Sequence, residues 1–294
     1  MAGIKKGVPF GGTPPVGRYT MEVRGPERMH SSGFDWDFET EVALPASYGD
    51  TSDRAYPVLW LTDGPLVFNL AVGIQNLLAT GGLAPELIIV GVGCSSAAGL
   101  AEYSRRRVIE LTPPGNQLFY DGPGGDYFKK LAPEYSTPQR ADAFLAFLVD
   151  EARPALAKQY RMIEDHGLFG HSGGGMFANY ALFARPGTFR RYIIGSPSSN
   201  AVDRAAFKLE AAHAAAHRDL QADVFFGAGE AEIGEMMLAA WGIVSAPVLM
   251  AETLLLRQYP SLKITTRIFS AKNHFTAVPD ILLEGIQAVW GNDP

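Results

Sequence analysis

The chain has 294 residues, of which 47% are hydrophobic and 19% charged, and its formal net charge is -6. This composition is typical of a globular protein with enough length for a deep core, and without long charged runs it carries no electrostatic signature of nucleic acid or membrane binding. The single cysteine, Cys94, excludes an internal disulfide and a cysteine-based zinc site, and residues 1–20 lack the apolar stretch of a signal peptide, so we expect a cytoplasmic protein unless a leader peptide has been removed.

The predicted strands and helices alternate along a single domain, residues 1–294. After a loose start over residues 1–16, alternating polar and apolar residues predict edge strands at Arg18–Arg24 and Phe38–Leu44. Continuous apolar runs then predict strands buried on both faces, at Val58–Leu61, Leu87–Val90, Leu168–Phe169, Tyr192–Ile194, Val224–Phe226 and Ile264–Phe269. Helices are predicted at Leu66–Ala79, Pro138–Tyr160, Gly174–Ala184, Ala201–His217, Ile233–Gln258 and Pro279–Trp290. The alternation predicts an α/β fold with a mostly parallel sheet built from βαβ crossovers.

Two segments are longer than a crossover requires and are candidates for a cap over the presumed site. They are residues 93–128, rich in glycine, proline and serine, and residues 233–258, rich in methionine and large apolar residues. The second segment allows three interpretations: a pocket in which Met237 and Trp241 contact substrate, a buried helix pair, or the interface of a homodimer. No apolar run reaches the length that predicts a membrane span.

The sequence Gly170-His-Ser172-Gly-Gly174 follows a short apolar strand and precedes a helix. This is the pattern of a nucleophile elbow, a turn so sharp that the residues two before and two after the serine must be small. We therefore predict Ser172 as the nucleophile of a serine hydrolase.

A serine hydroxyl requires an imidazole to accept its proton. Three histidines follow Ser172, and only His274 lies in a loop at the end of a predicted strand, so we predict it as the general base. His213 and His217 stand four residues apart on a predicted helix, a spacing that can bind a metal, but no third ligand accompanies them and we predict no metal and no cofactor.

The imidazole in turn needs a carboxylate, expected after the strand Val224–Phe226. Glu230 and Glu232 both follow that strand. We favour Glu232, because the strand then extends from Val224 to Gly229, and keep Glu230 as the alternative. The other glutamate is expected to be a solvated residue at a helix start.

Two backbone N–H groups are expected to stabilise the oxyanion of the tetrahedral intermediate. Gly173 supplies the first. The second should come from the loop after Val58–Leu61, where Pro65 has no N–H, so Gly64 or Leu66 is predicted to serve. Asp63 is interpreted as a turn-former.

The basic run Arg105-Arg106-Arg107 admits two interpretations. Arg107 is a candidate contact for an anionic substrate, and ion pairs with Glu102 or Glu110 are the alternative.

Several of these motifs occur in the same order in a known family. Tyr56–Gly64, which ends in Asp-Gly, resembles a family strand, and Arg107–Pro113 resembles its Arg-x-x-Asp-hydrophobic-Thr-Pro signature. The elbow Gly170–Phe177, the turn Ser196–Ser198 and the pair Asn273-His274 follow. The chain thus resembles the putative-esterase family of α/β hydrolases, which includes enterobactin esterases, trilactone hydrolases, esterase D and mycolyltransferases.

The resemblance implies an eight-stranded α/β-hydrolase sheet and ester hydrolysis through Ser172 and His274, with a carboxylate near Glu232. Siderophore-type members usually have aromatic residues after Ser-Pro-Ser, whereas this chain has Ser199-Asn200. This difference concerns the substrate rather than the reaction. We expect a serine esterase acting on a small-molecule ester, such as an apolar or aryl ester or a lactone. An acyltransferase that uses the same acyl-enzyme and a non-catalytic binding protein of the same fold are the alternatives.

Overall fold

The computed structural model describes residues 18–50, 53–114, 139–199 and 204–291, and within them eight strands form one sheet. The strands are β1 (Glu22–His30), β2 (Asp37–Leu44), β3 (Tyr56–Leu61), β4 (Ile88–Gly93), β5 (Met162–His171), β6 (Arg191–Gly195), β7 (Ala222–Gly229) and β8 (Leu262–Phe269). Their order across the sheet is β1-β2-β4-β3-β5-β6-β7-β8. β2 pairs antiparallel with β1 and with β4, and all other neighbours are parallel. The structure confirms the predicted α/β fold with a mostly parallel sheet. The sheet is mixed, because β2 runs antiparallel to both of its neighbours.

Nine α-helical segments occur in the described part of the chain. They are α1 (Gly64–Thr80), α2 (Gly99–Leu111), α3 (Ala141–Ala146), α4 (Arg153–Ala157), α5 (Gly173–Ala184), α6 (Ala205–Ala216), α7 (Met236–Ala240), α8 (Ser245–Arg257) and α9 (Val278–Trp290). A π-helical stretch, Phe147–Ala152, joins α3 to α4. Pro138 and residues 201–203, which open two of the predicted helices, lie outside the described residues, as do the 1–16 segment and residues 115–128 of the first cap segment.

The core lies on both faces of the sheet. Along β3, Val58 and Trp60 face one large apolar cluster, while Leu59 and Leu61 face a second cluster that includes residues of α1 and α9. Side chains of a strand alternate between the two faces. The continuous apolar runs of the central strands therefore correspond to strands covered on both sides, as predicted. The same prediction is wrong for β8, which lies at the edge of the sheet and has no fully buried residue.

Several predicted elements differ from the structure. β1 begins four residues later than predicted and continues through Gly25-Pro26, because a register shift between Arg24 and Glu27 keeps it paired with β2. The first cap segment contains a helix that the sequence does not predict, since α2 occupies Gly99–Leu111 and buries Ile109 and Leu111. The single helix predicted at Ile233–Gln258 is interrupted at residues 241–244, where Gly242 has a φ of 66°.

The interrupted segment Met236–Arg257 is, by length and composition alone, apolar enough to cross a membrane, with a mean hydropathy of 1.6, which corrects the expectation from the sequence. In the fold it forms α7 and α8, and half of its most apolar window is buried. Leu254 and Met250 of α8 belong to the core cluster on one face of the sheet. The buried-helix-pair interpretation therefore fits this part of the fold.

Candidate active site

Ser172 lies in the turn between β5 and α5 with a φ of 60° and a ψ of -119°, a backbone conformation that is rare outside glycine. Its amide donates a hydrogen bond to the Gly195 carbonyl oxygen at 2.9 Å, which ties the turn to β6. A Cβ added to Gly170 would collide with the backbone of Gly174, and one added to Gly174 would collide with the Thr62 hydroxyl. The predicted turn and its requirement for small residues are therefore present in the structure.

His274 follows β8 in a loop that Asn273 shapes by accepting hydrogen bonds from the amides of Phe275 and Thr276 at 3.1 and 3.0 Å. The Nδ1 atom of His274 lies 2.5 Å from Oε1 of Glu232. The side chain of His274 is 14% exposed, so the ring is reachable from solvent although the carboxylate beside it is not.

Glu232 lies in the short 3₁₀ turn after β7 and is fully buried. Its Oε2 accepts hydrogen bonds from the Gly229 amide at 2.8 Å and the Ser196 hydroxyl at 3.0 Å, which leaves Oε1 to His274. Hydrogen bonds of this kind stabilise the charged form of a buried carboxylate. The sequence does not predict the contribution of Ser196, although the Ser-Pro-Ser turn that contains it is one of the motifs described above.

Glu230 points elsewhere. Its carboxylate accepts hydrogen bonds from the Ser270 hydroxyl at 2.7 Å and the Ala271 amide at 3.0 Å, and these bonds lower its pKa. Of the two candidate acids, the structure brings Glu232 to His274, whereas Glu230 fastens the loop between β8 and His274.

Among the residues that the structure describes, the Ser172 hydroxyl makes no hydrogen bond to His274, whose hydrogen-bonded ring atom is the one that faces Glu232. Contacts between nucleophile and base are often long in unliganded sites and tighten when substrate binds. The elbow and the His274 loop nevertheless lie together, because the rings of His171 and His274 are 4.5 Å apart between centroids.

Arg107 reaches the elbow from α2. Its Nε and Nη2 bind the two Asp63 carboxylate oxygens at 2.8 and 3.0 Å, and Nη2 also donates to the His171 carbonyl oxygen at 3.1 Å. Tyr103 donates to the same carboxylate at 3.0 Å. Burial opposes the charge on Arg107, but the Asp63 carboxylate outweighs it and raises the pKa of the guanidinium. Asp63, in a left-handed turn with a φ of 55°, is thus a turn-former that also holds Arg107.

The third nitrogen of the Arg107 guanidinium, Nη1, lies over the elbow. A Cβ added to Gly173 would be 2.9 Å from this nitrogen. The other two arginines of the basic run form the ion pairs given as the alternative, Arg105 with Glu102 at 2.7 Å and Arg106 with Glu110 at 2.9 Å. Only Arg107 of the three therefore faces the elbow.

The predicted oxyanion donors differ in what they contact. The Leu66 amide donates to the Asp63 carbonyl at 2.9 Å, so the prediction that Leu66 contributes an oxyanion donor is wrong. Gly64 packs closely on β4, with 2.5 Å between an added Cβ and the Val92 nitrogen, and its role stays a prediction. Gly173 opens α5 directly after the nucleophile, where its amide is one of the first N–H groups of the helix.

The structure buries Trp241, whose contact with substrate stays a prediction. Trp241 is 6% exposed and packs in a small apolar cluster with Met176, Leu238 and Ile243, against which Met237 also packs. Large apolar side chains nearer the site are exposed instead: Ile233 at 60%, Met236 at 77% and Phe275 at 78%. They closely follow Glu232 or His274 in the chain.

The second residue of the elbow, His171, lies beside His274 and Arg107. Burial, together with the neighbouring His274 and Arg107, lowers its pKa well below the ordinary value, so its imidazole is neutral.

His213 lies in α6 and His217 directly follows that helix, and both side chains contact other groups of the protein. The rings of His213 and His217 stack with centroids 4.4 Å apart. Nε2 of His213 lies 3.1 Å from the Asp219 carbonyl oxygen, and Nδ1 of His217 lies 3.2 Å from the His213 carbonyl oxygen. Nδ1 of His213 is buried without a hydrogen-bond partner among the described residues.

The chain is similar to known proteins over most of its length. Residues 31–258 match a family model described as "Putative esterase". The chain is 29% identical over 174 residues to a siderophore enterobactin esterase of Emericella nidulans, covering 56% of this chain and 54% of that protein. It is 31% identical over 148 residues to the ferri-bacillibactin esterase BesA of Bacillus subtilis, covering 49% and 48%. The chain thus spans about half the length of the curated relatives it matches.

Solved structures share the fold. The siderophore hydrolase EstB from Aspergillus nidulans superposes with a TM-score of 0.74 at 20% identity, over 94% of this chain and 96% of that one. An IroE-like serine hydrolase from Shewanella oneidensis superposes with a TM-score of 0.72 at 22% identity, over 91% and 79%. With the family model matching well over half of the sequence, the chain belongs to the putative-esterase family of the α/β hydrolases.

Proposed function

We propose that this protein hydrolyses carboxylic esters through an acyl-enzyme formed on Ser172. The observation that carries the proposal is the buried Glu232 carboxylate bound to His274 Nδ1 at 2.5 Å, beside an elbow serine. The order Ser172, Glu232, His274 is that of the α/β-hydrolase triad. Relatives named as siderophore esterases support the same reaction class.

In the proposed reaction, Ser172 Oγ bonds to the ester carbonyl carbon while His274 Nε2 takes the hydroxyl proton. Glu232 keeps the other imidazole proton on Nδ1 and stabilises the imidazolium that forms. Collapse of the tetrahedral intermediate breaks the bond to the alcohol, which leaves with the proton from His274. Water then attacks the acyl-enzyme with His274 again as base, releasing the acid and free Ser172.

The oxyanion is stabilised, in this proposal, by the Gly173 amide and by Arg107. Pro65 has no N–H and the Leu66 amide is bonded to Asp63, so the loop after β3 is short of donors. Nη1 of Arg107 lies over Gly173, and two fixed bonds to Asp63 hold the guanidinium in place. A preorganised charged donor of this kind favours developing negative charge.

The proposed substrate is a small-molecule ester with an apolar or aromatic part. Ile233, Met236 and Phe275 are exposed beside Glu232 and His274, and burying such side chains against substrate is favourable by about 25 cal/mol per Å². The one cation at the elbow, among the described residues, is already paired with Asp63, which argues against a strongly anionic acyl group.

The test is turnover of p-nitrophenyl acetate and butyrate by the purified chain, with the Ser172→Ala variant as the matched inactive protein. We expect turnover with an initial burst of p-nitrophenol, and covalent labelling of the wild type but not the variant by a fluorophosphonate. Absence of both turnover and labelling in the folded wild type would refute the proposal.

A further inference from the structure

The imidazole of His171 is an unexplained polar group in a buried place. Both of its ring nitrogens are inaccessible to solvent, and neither makes a hydrogen bond of good geometry with a residue that the structure describes, although the backbone of His274 lies close to the ring. The ester hydrolysis proposed above uses only its neighbour Ser172. Buried polar atoms are usually paired, so an orphaned side chain at a site calls for a specific explanation.

The ring of His171 faces two other groups that bind metals. One ligand atom from each of His171, Glu232 and His274 can be chosen so that all three lie within 4.8 Å of one another. The ring centroids of the two histidines are 4.5 Å apart, with a 42° angle between their planes. Glu232 is fully buried, whereas His171 and His274 are each partly exposed, so the group opens to solvent on the side of the two histidines.

Two imidazoles and one carboxylate are the three protein ligands of one class of zinc site. In such sites the fourth coordination position of the metal is open to water or substrate. Imidazole nitrogen suits zinc and related transition metals, whereas magnesium and calcium prefer oxygen. Zinc bonds of about 2.0–2.1 Å place neighbouring ligand atoms of a tetrahedral site roughly 3.3 Å apart. The widest pair must therefore close from at most 4.8 Å to that distance, and Nδ1 of His274 and Oε1 of Glu232, which are 2.5 Å apart, must open to it.

We propose that His171, Glu232 and His274 form an inhibitory site for a zinc-class divalent cation. Binding of the cation depends only on the three side chains, whereas inhibition by the cation rests on the proposed ester hydrolysis. The cation occupies the Nδ1 lone pair of His274 in place of the proton shared with Glu232, and that proton moves to Nε2. With Nε2 protonated, His274 remains neutral but has no lone pair to accept the proton of Ser172.

The first experiment measures p-nitrophenyl butyrate hydrolysis in a non-chelating buffer at about pH 7.5, above the ordinary pKa of histidine, with zinc, magnesium or calcium chloride. We expect micromolar zinc to reduce the rate at least tenfold, EDTA to restore it, and magnesium and calcium to have little effect. His171→Gln and His171→Phe should each raise the half-inhibitory zinc concentration at least tenfold relative to their own uninhibited rates. His217→Asn removes an imidazole of the other histidine pair and should leave that concentration unchanged.

The second experiment does not depend on activity. Ser172→Ala retains all three ligands, so titration with cobalt(II), read from its visible absorption, and calorimetric titration with zinc should both give one site per chain. Adding His171→Gln to Ser172→Ala should abolish that site, and circular dichroism checks that each variant is folded.

The outcomes separate the two proposals. Binding that requires His171 in a chain without esterase activity would uphold the metal site and refute the proposed hydrolysis. An active esterase that binds no zinc, or that zinc inhibits equally with and without His171, would overturn the metal site.

Discussion

At the scale of single residues, the two glutamates after β7 differ in their partners rather than in their chemistry. Glu232 is fully buried and holds His274, whereas Glu230 is exposed and holds Ser270 and Ala271. We expect Glu232→Gln to lower kcat by at least ~10²-fold, because an amide neither fixes the required tautomer nor stabilises the imidazolium. Glu230→Gln should stay within about threefold of wild type, since it loses only exposed loop contacts. Steady-state kinetics on p-nitrophenyl butyrate compare them, and equal losses would contradict the assignment.

The guanidinium of Arg107 gives a second prediction at this scale. Removing one oxyanion donor typically costs ~10²- to 10³-fold in kcat, so we expect that loss in Arg107→Gln with a much smaller change in KM. Pro65→Asn restores a backbone N–H to the loop after β3, and in the Arg107→Gln background it should recover part of the lost kcat. Arg105→Gln, which removes a guanidinium paired with Glu102 on the same helix, is the matched control. A wild-type kcat in Arg107→Gln would show that this side chain does not stabilise the transition state.

The sequence alone nominates Ser172, His274 and both glutamates as candidates, because chain order and strand ends restrict where such residues can stand. It does not choose decisively between Glu230 and Glu232, since they are two residues apart and only the turn decides which one points inward. The setting of Trp241 is also not predictable, because apolar composition does not distinguish a pocket from a small buried cluster.

At the scale of secondary structure elements, the turn that joins β5 to α5 depends on close backbone contact. A methyl group at Gly170 would collide with the Gly174 backbone, where no flexible side chain can move aside. We expect Gly170→Ala to destabilise the fold by more than ~3 kcal/mol or to prevent folding. Gly73, in the middle of α1, has nothing within 4 Å of an added Cβ, and Gly73→Ala should stabilise by ~0.5–1 kcal/mol.

Urea unfolding of the two alanine variants measures this difference. A Gly170→Ala protein as stable as wild type would contradict the close approach of strand and helix at the elbow. The Gly73→Ala variant controls for the general effect of replacing glycine, because it carries the same added methyl group.

The central elements are predictable because strands covered on both faces read as uninterrupted apolar runs, as β3 and β7 do. The sequence does not predict α2, because this helix is rich in charge and three of its arginines are held by ion pairs that the fold creates. The bounds of β1 differ from the prediction because Gly25-Pro26 reads as a turn, whereas the strand passes through it with a register shift. These errors occur where tertiary contacts override local sequence preference.

At the scale of the whole molecule, stability should depend on pH through His166, which lies on β5 inside the sheet and is 4% exposed. Its Nδ1 accepts a hydrogen bond from Trp60 Nε1 at 3.2 Å, and burial, reinforced by Arg153, lowers its pKa to about 3. An unfolded histidine has a pKa of about 6.5, so between these values the unfolded chain binds a proton that the native protein excludes. Native stability should therefore fall as the pH drops below about 6.5.

His166→Asn tests this linkage, because asparagine keeps an acceptor for Trp60 but does not titrate. From the two pKa values, the wild type should lose on the order of 2 kcal/mol of unfolding free energy between about pH 7 and pH 5 that the variant keeps. The smaller side chain also leaves a cavity, but that cost is the same at both pH values and cancels in the comparison. His30→Asn, which replaces an imidazole that is 78% exposed, controls for the loss of a surface histidine and should keep the wild-type pH dependence. Urea unfolding at the two pH values decides the matter: parallel losses in wild type and His166→Asn would mean that the proton taken up on unfolding in acid binds elsewhere in the chain.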